Sequence, residues 1–378
     1  MRKGDPPLPE SGDGAKADAP LPRSRRPTII DVAQLAGVSK STVSAVLRGT
    51  PGTSHKAVER VRRAIVELDY QPNNVARQLV GAQSKLIGVV VGDLSNQFFA
   101  EMAVHVERSA TQAGFSTIFC NTLGDPDREL AAVTRLLQQQ VAGILFLSME
   151  ASADLLRVAV GRHVPVVFAT CRGEWADSVC IDDTQAAYLA TRHLIELGHR
   201  RIAFVSPESM ESLAHAERLD GYRQALRAAE LPAGPVMTWA PGDSMIEVDG
   251  AQRGLKEVLA DRRLFSAVFA VHDFIGVALL DSAGALGFAV PEDFAVSSID
   301  NISLARLRAV SLTTVAQPFG AAAKESVSLL IRRISGELSG PPTLVTLPLA
   351  LIARRSTTGR HSTQQPFEAL DVLPTAVR

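Results

Sequence analysis

Hydroxyls, one ammonium and a small apolar side chain crowd into the run Ser39-Lys40-Ser41-Thr42-Val43-Ser44-Ala45. At the start of a helix such groups can meet nucleic-acid base edges and phosphate oxygens, chemistry that needs neither a nucleophile nor a metal. A second polar set recurs after apolar runs of strand length, where open parallel sheets bind their ligands: Asp93-Leu94-Ser95-Asn96-Gln97-Phe98-Phe99, Arg172, Arg218, His272-Asp273 and Asp300-Asn301. Catalytic signatures are missing. The chain has no Walker-type loop, Gly-x-Gly-x-x-Gly, Gly-x-Ser-x-Gly or His-Glu-x-x-His, and His193 and His199 straddle a helix end, which suits surface and capping roles. No enzymatic activity, cofactor or metal is expected.

The first polar run needs a scaffold, and the flanking residues supply one. Ile29 to Ala36 makes two helical turns entered through Thr28, whose hydroxyl can accept an orphan amide while Asp31 complements the helix dipole. Gly37 breaks the helix and Ser39 caps the next. That spacing turns Val38, Val43 and Val46 toward Val32, Ala33 and Ala36, and leaves Lys40, Ser41, Ser44 and Ala45 outward. Close crossing about a Gly-containing turn is helix-turn-helix packing, in which the start of the second helix reads base edges. Lys40 and Ser41 are then the specificity candidates, and Thr28, Ser39, Thr42, Ser44 and Asn73 the phosphate or backbone clamps. A third helix capped by Ser54, with Val58, Val61, Ile65 and Leu68 as its stripe, closes the domain. Pro72 ends it, and Asn73 caps two further turns to about Val80. Those are fewer than the roughly 12 residues an isolated helix needs in water, so this segment should be helical only with a partner.

From Leu86 the period changes to apolar strands alternating with amphipathic helices: Leu86–Val91, Phe98–Ala113, Thr117–Cys120, Asp127–Gln139, Gly143–Leu147 and Val164–Ala169. After Asp183–Leu197 the rhythm restarts with Ile202–Val205, Ala214–Ala229, Glu247–Ala260, Ala267–Val271, Phe274–Leu286 and Ala295–Ile299. Apolar strands between helices predict two parallel sheets covered on both faces. The two lobes should join near Asp182–Ala186 and Thr313–Pro318, with Phe319–Gly336 returning to the first.

On these motifs, in this order, the chain from about Thr28 to about Thr357 resembles the lactose-repressor/galactose-repressor (LacI/GalR) family of transcription regulators. The resemblance implies a small all-α helix-turn-helix domain followed by a bilobed α/β periplasmic-binding-protein-like effector domain. It implies that the segment after Pro72-Asn73 is a hinge helix that folds on operator DNA, with Leu79 wedged between base pairs of the minor groove and Ala76 beside it. It also implies that Asn96, Phe99, Arg172, Arg218, His272, Asp273 and Asp300 hold a hydroxylated effector by bidentate hydrogen bonds and aromatic stacking. The pattern departs from the family at Gln97, Cys171, His272 and Ser298-Ile299-Asp300-Asn301, so the effector need not be a plain hexose. Ala45 stands where Arg is common, which exchanges a guanine contact for a thymine methyl or none, and Arg48 replaces an asparagine and can add a phosphate contact.

Boundaries follow: a disordered tail over 1–26, a DNA-binding domain over 27–72, a hinge and linker over 73–85, a bilobed effector and dimerisation domain over 86–357, and a flexible tail over 358–378. Net charge is near zero, yet Arg23 to Lys85 carries eleven Lys/Arg against four acids, a local +7 that suits phosphate contacts. Residues 1–27 show no signal-peptide core and no window is apolar enough to span a membrane. Three cysteines without paired spacing fit buried thiols in a reducing cytoplasm. Two readings remain: an operator-binding homodimer, probed by double-stranded DNA and a sugar-like effector, or a solute-binding protein whose N-terminal helices serve another purpose. The basic head and the wedge segment favour the first. Leu79→Ala should weaken specific DNA binding while largely sparing non-specific binding; equal loss of both in anisotropy titrations would remove the wedge assignment.

Overall fold

A computed structural model describes residues 27–48, 50, 52–70, 84–148, 161, 164–173, 175–207, 212–239, 255–256, 258–260 and 262–358. The chain divides into two compact units, Met1–Ala82 and Gln83–Arg378. The segment containing Asn73, Ala76 and Leu79, both expected tails and the Arg48 side chain lie outside the described residues.

In the first unit Thr28 caps α1 (Ile29–Ala36) through a reciprocal box: its amide donates to Asp31 Oδ2 at 2.6 Å and its Oγ1 accepts from the Asp31 amide at 3.4 Å. Gly37 ends the helix at φ 61°, a left-handed conformation open to glycine, and its amide bonds back to Ala33 and Gln34. Helices α2 (Lys40–Arg48) and α3 (His55–Glu67) complete a core of Val32, Ala33, Ala36, Val43, Val61, Ala64 and Tyr70. The stripe of α3 is rotated from expectation. Ala57, Val61 and Ala64 are buried while Val58 is only half-buried, because the small residues let α3 approach α1 closely.

The second unit holds two six-stranded sheets. The first is built from β1 (Leu86–Val91), β2 (Ser116–Asn121), β3 (Gly143–Leu147), β4 (Val166–Phe168), β5 (Asp177–Cys180) and β11 (Leu344–Thr346), in the order β11-β5-β4-β3-β1-β2, all parallel. The second contains β6 (Ile202–Pro207), β7 (Val236–Trp239), β8 (Ala267–Ala270), β9 (Ala295–Asp300), β10 (Thr313–Ala316) and β12 (Ala350–Ile352). Its order is β12-β10-β9-β8-β6-β7, parallel except where β12 runs against β10. Helices α4 (Gln97–Gln112), α5 (Pro126–Gln138) and α10 (Phe319–Ile334) pack on the first sheet. Helices α6 (Asp183–Glu196), α7 (Leu213–Ala228) and α8 (Asp273–Ala285) belong to the second lobe, as do the short turns α9 (Ser303–Arg306) and α11 (Arg355–Thr358).

The chain therefore crosses between lobes three times, after Cys180, Ala316 and Thr346, where two crossings were expected. Thr313–Ala316 is itself a strand, and only Gln317-Pro318 makes the second joint. The third crossing links β11 and β12, each only three residues long and at best half-buried. Of the expected helix Glu247–Ala260, the described residues Leu255, Lys256 and Val258–Ala260 are helical. Cys180 is buried, Cys120 and Cys171 are half-buried, and all three are free thiols. No helix among the described residues is long and apolar enough to cross a membrane.

Helices α6 and α7 cross closely at Gly221, where an added Cβ would lie 2.0 Å from the Thr184 carbonyl oxygen. Because that neighbour is backbone, Gly221→Ala should destabilise the second unit by roughly 1–3 kcal/mol through overpacking, read as a lower urea midpoint with an unchanged slope.

Candidate nucleic-acid interface and effector cleft

At the start of α2, Ser39 Oγ accepts the Thr42 amide at 3.1 Å and lies 2.7 Å from Ser41 Oγ and 2.8 Å from Thr42 Oγ1. The cap thus gathers three hydroxyls around one helix end. Ser39, Lys40 and Ser41 are exposed, Thr42, Ser44 and Ala45 are half-buried, and Val43 is fully buried against α1. One helix face anchors the element, and the opposite face carries every described polar candidate of α2. Thr28 differs, since its hydroxyl is engaged by Asp31 at 2.7 Å.

In the second unit the structure gathers Arg218, His272, Asp273 and Asp300 at the carboxyl ends of β8 and β9. Arg218, on α7, is 3% exposed; its Nε donates to Asp183 Oδ1 at 2.7 Å, its Nη1 to the Val271 carbonyl at 2.9 Å, and its Nη2 lies 4.0 Å from Asp300 Oδ1. Burial opposes the Arg218 charge, but Asp183 and Asp300 outweigh it and its pKa rises. Asp183, next to the first crossing, was not foreseen; its signal was the Asp182-Asp183 pair, in which Asp182 caps α6 and Asp183 turns inward.

Asp273 accepts from Ser298 Oγ and from the Ile302 amide at 2.9 Å, and is fully buried. Asp300 accepts from Gln317 Nε2 at 2.8 Å at a φ of 123°, with Asn301 at 63°. Those left-handed conformations are unfavourable for non-glycine residues. They are held by Gln317 N donating to the Asp300 carbonyl, Asn301 N donating to Thr314 Oγ1, and Arg354 Nη2 bonding Asn301 Oδ1 at 2.5 Å. His272 caps α8, its Nδ1 accepting the Ile275 amide at 3.5 Å. His215, absent from the sequence-based candidates, lies with its ring 6.1 Å from that of His272. The i, i+3 spacing of His215 and Arg218 on one helix was its readable trace.

Three expected residues sit elsewhere. Arg172, half-exposed beyond β4, pairs with Glu217 of α7 and so bridges the lobes. Asn96 caps α4, its Oδ1 accepting the Phe98 amide at 3.0 Å. Phe99 is buried against Phe98 in the first-lobe core. A second bridge starts from α4: Gln97 Nε2 donates to Ser303 Oγ at 2.6 Å, and Glu101 Oε1 accepts from the Ser303 amide at 2.7 Å. A separate apolar hollow bounded by Met102, Val179, Phe319 and Leu347 touches the crossings and includes none of the charged cluster.

A helix-turn-helix head followed by a two-lobed pair of sheets defines a DNA-binding protein with a periplasmic-binding-like domain. Residues 28–73 match the model of bacterial regulatory proteins of the lacI family, and residues 191–357 match a periplasmic binding protein-like domain. The HTH-type transcriptional regulator DegA of Bacillus subtilis (strain 168) is 32% identical over 337 residues, covering 87% of this chain and 98% of the relative. The crystal structure of the lac repressor dimer bound to operator and the anti-inducer ONPF superposes with a TM-score of 0.77 at 25% identity, over 88% of this chain and 99% of that one. The transcriptional regulator CelR–cellobiose complex gives 0.62 at 31% identity, over 88% of this chain and 100% of that one. The chain belongs to the lacI family of bacterial regulatory proteins and is a transcriptional regulator with a DNA-binding domain.

Burial pushes the Asp300 carboxyl up to about 8, against the pull of Arg218 and with help from Asp273, and pushes Asp273 up to about 6 against its hydrogen bonds. Both native carboxyls hold protons at pH values where unfolded aspartates, near 3.8, have lost them. Their contribution to stability is complete below the unfolded value and is lost as pH rises through 6 and then 8. Denaturation midpoints should therefore fall between about pH 5 and 8.5, and Asp300→Asn, which keeps the acceptor for Gln317, should flatten that slope. An equal slope in the variant would place the titration elsewhere.

Proposed function

We propose that the protein is a repressor that binds a pseudo-palindromic operator as a homodimer under allosteric control by a small, polar, sugar-like effector. The observation that carries this reading is the polar cluster around Arg218, set at the strand ends of the second lobe in the same chain as a helix-turn-helix head. Lys40 and Ser41 read bases; Thr28, Ser39, Thr42, Ser44, Arg48 and Asn73 clamp the backbone, Ala45 contacts a thymine methyl or leaves its base unread, and Ala76 and Leu79 enter the minor groove. Arg218, His272, Asp273 and Asp300 form the second-lobe part of the effector site, and Asn96, Phe99 and Arg172, which stand apart from that cluster, are its first-lobe part. One short reading helix contacts few base pairs, so twofold symmetry matched to a two-half-site operator supplies the rest. The lac repressor, a dimer on its operator, and CelR, in complex with cellobiose, support both parts.

The effector acts by biasing the angle between lobes. Arg172–Glu217 and the Glu101–Ser303 contacts bridge the lobes at two places, and a ligand that favours or opposes them changes the spacing of the two hinge segments in the dimer. Spacing decides whether both segments fold together and insert Leu79. An effector favouring DNA-compatible spacing is a corepressor, and one opposing it an inducer.

Fluorescence anisotropy on DNA from upstream of its own gene, against scrambled DNA at fixed salt and then with a sugar and nucleoside panel, tests the proposal. The expected result is selective binding that weakens steeply with salt and is modulated by one compound. Absence of selectivity, with a compound still bound, would point to a solute-binding protein instead.

A further inference from the structure

His215 is 5% exposed, and its Nε2 has no hydrogen-bond partner among the described residues. A buried polar atom left in this way costs free energy unless a ligand completes it. The imidazole stands three residues before Arg218 on α7, at the carboxyl ends of β6 and β8, with Nδ1 3.3 Å from Ser206 Oγ. Its position is therefore that of the cleft, on the second-lobe side.

One placement of the hydrogens makes both contacts of the Ser206 hydroxyl into hydrogen bonds. With its one hydrogen donated to the Pro207 carbonyl at 3.2 Å, Ser206 Oγ accepts from the ring. His215 then carries its proton on Nδ1 and leaves Nε2 bare. His272 is the opposite tautomer: Nδ1 accepts the Ile275 amide, so Nε2 is protonated and donates. Burial, followed by the charge of Arg218, holds His215 down to about 2 and His272 down to about 3, so neither ring is a cation at neutral pH. Of the carboxyls around them Asp300 holds its proton at neutral pH, which leaves Asp183 and Asp273 against the single charge of Arg218, whose Nε and Nη1 are already bound. Arg172 at the rim is held by Glu217. A phosphate or carboxylate would meet these carboxylates and one buried cation already paired with Asp183.

We infer that His215 Nε2 accepts a hydroxyl of the effector, and that the cleft takes an uncharged polyol while rejecting its phosphorylated or carboxylated counterparts. The inference rests on the effector reading above and adds the residue and the charge class that decide which effector is admitted.

Two measurements on the full chain test it. Nitrogen NMR of histidine-labelled protein should show His215 protonated on Nδ1 with a bare Nε2; a proton on Nε2, or on both nitrogens, overturns the assignment. Calorimetry should show binding from a pool of D-glucose, D-ribose and cellobiose and none from glucose 6-phosphate, ribose 5-phosphate and glucuronate. Binding from the anionic pool, or from neither pool, overturns the ligand class. His215→Leu should lose about tenfold or more in affinity for the bound sugar, the equivalent of one hydrogen bond, whereas His215→Gln, which keeps an acceptor, should stay within a few-fold. Equal affinity in the Leu variant removes His215 from recognition, and should that variant fail to fold, the Gln variant and the wild-type NMR still decide. Loss of operator selectivity in the wild-type protein would count against the repressor reading alone, since the NMR and calorimetry involve no DNA.

Discussion

One guanidinium organises the second unit. Arg218 is buried with a single positive charge among Asp183, Asp300 and the Val271 carbonyl, and it cannot shed its proton. Removing one partner of such a pair leaves an uncompensated charge at roughly 3–5 kcal/mol, so the arrangement constrains everything that presents those groups. It joins α7, which carries the arginine, to α6, which carries Asp183, to β9, which ends in Asp300. The close crossing at Gly221 brings the two helices near enough for the pair to form. Asp300 in turn is fixed by Gln317, which lies in the second crossing, and its neighbour Asn301 by Arg354, which follows β12. Arg354 also donates to the Leu312 carbonyl at 2.6 Å and packs beside Thr313. The buried cluster is thus bonded to residues beside the first two interlobe crossings, and through Asn301 to Arg354 at the far end of β12. In the proposed mechanism a ligand that repositions Asp300 would reach the second crossing through the single hydrogen bond from Gln317.

The same wiring explains what was legible in the sequence. Strands such as Gly143–Leu147 and helices such as Phe319–Ile334 announce themselves because an apolar run or stripe must be buried whatever the context. Strand β5 hid because Asp177 opens it. That carboxylate is only 2% exposed, yet it is satisfied by Arg333 Nε at 2.7 Å and by the Thr343 amide at 2.7 Å, partners more than 150 residues away. A polar residue buried through distant partners reads locally as a loop. Strands β11 and β12 are invisible for a related reason, since their pairing is decided by the third crossing and not by their own composition. The site divides in the same way. Arg218 and Asp300 stand at strand ends or helix starts, where the topology directs them to a cleft. Asp183 and His215 enter it through helix geometry and the partners of neighbouring residues, which no single motif encodes.

The interlobe bridges set the scale of any allosteric response. Arg172 is half-exposed and Glu217 about a quarter exposed. Pairs of this kind contribute at most about 1 kcal/mol in water. The hydrogen bonds that Ser303 accepts from Gln97 and donates to Glu101 are also at the surface, and each adds about 0.5–1.5 kcal/mol net. Against them stands the rotational freedom of lobes joined by three short crossings. The balance between lobe arrangements is therefore a matter of a few kcal/mol. A ligand completing one or two buried hydrogen bonds in one arrangement only, with no other protein contact altered, supplies a difference of that size, equivalent to a coupling of roughly 1–3 kcal/mol. The proposed mechanism needs a buried cluster stiffer than the bridges, and Arg218, bonded to Asp183 and the Val271 carbonyl, ties α7 to α6 and to the end of β8. Strong constraint at the floor and weak constraint at the rim is the condition under which a small effector can move a large unit.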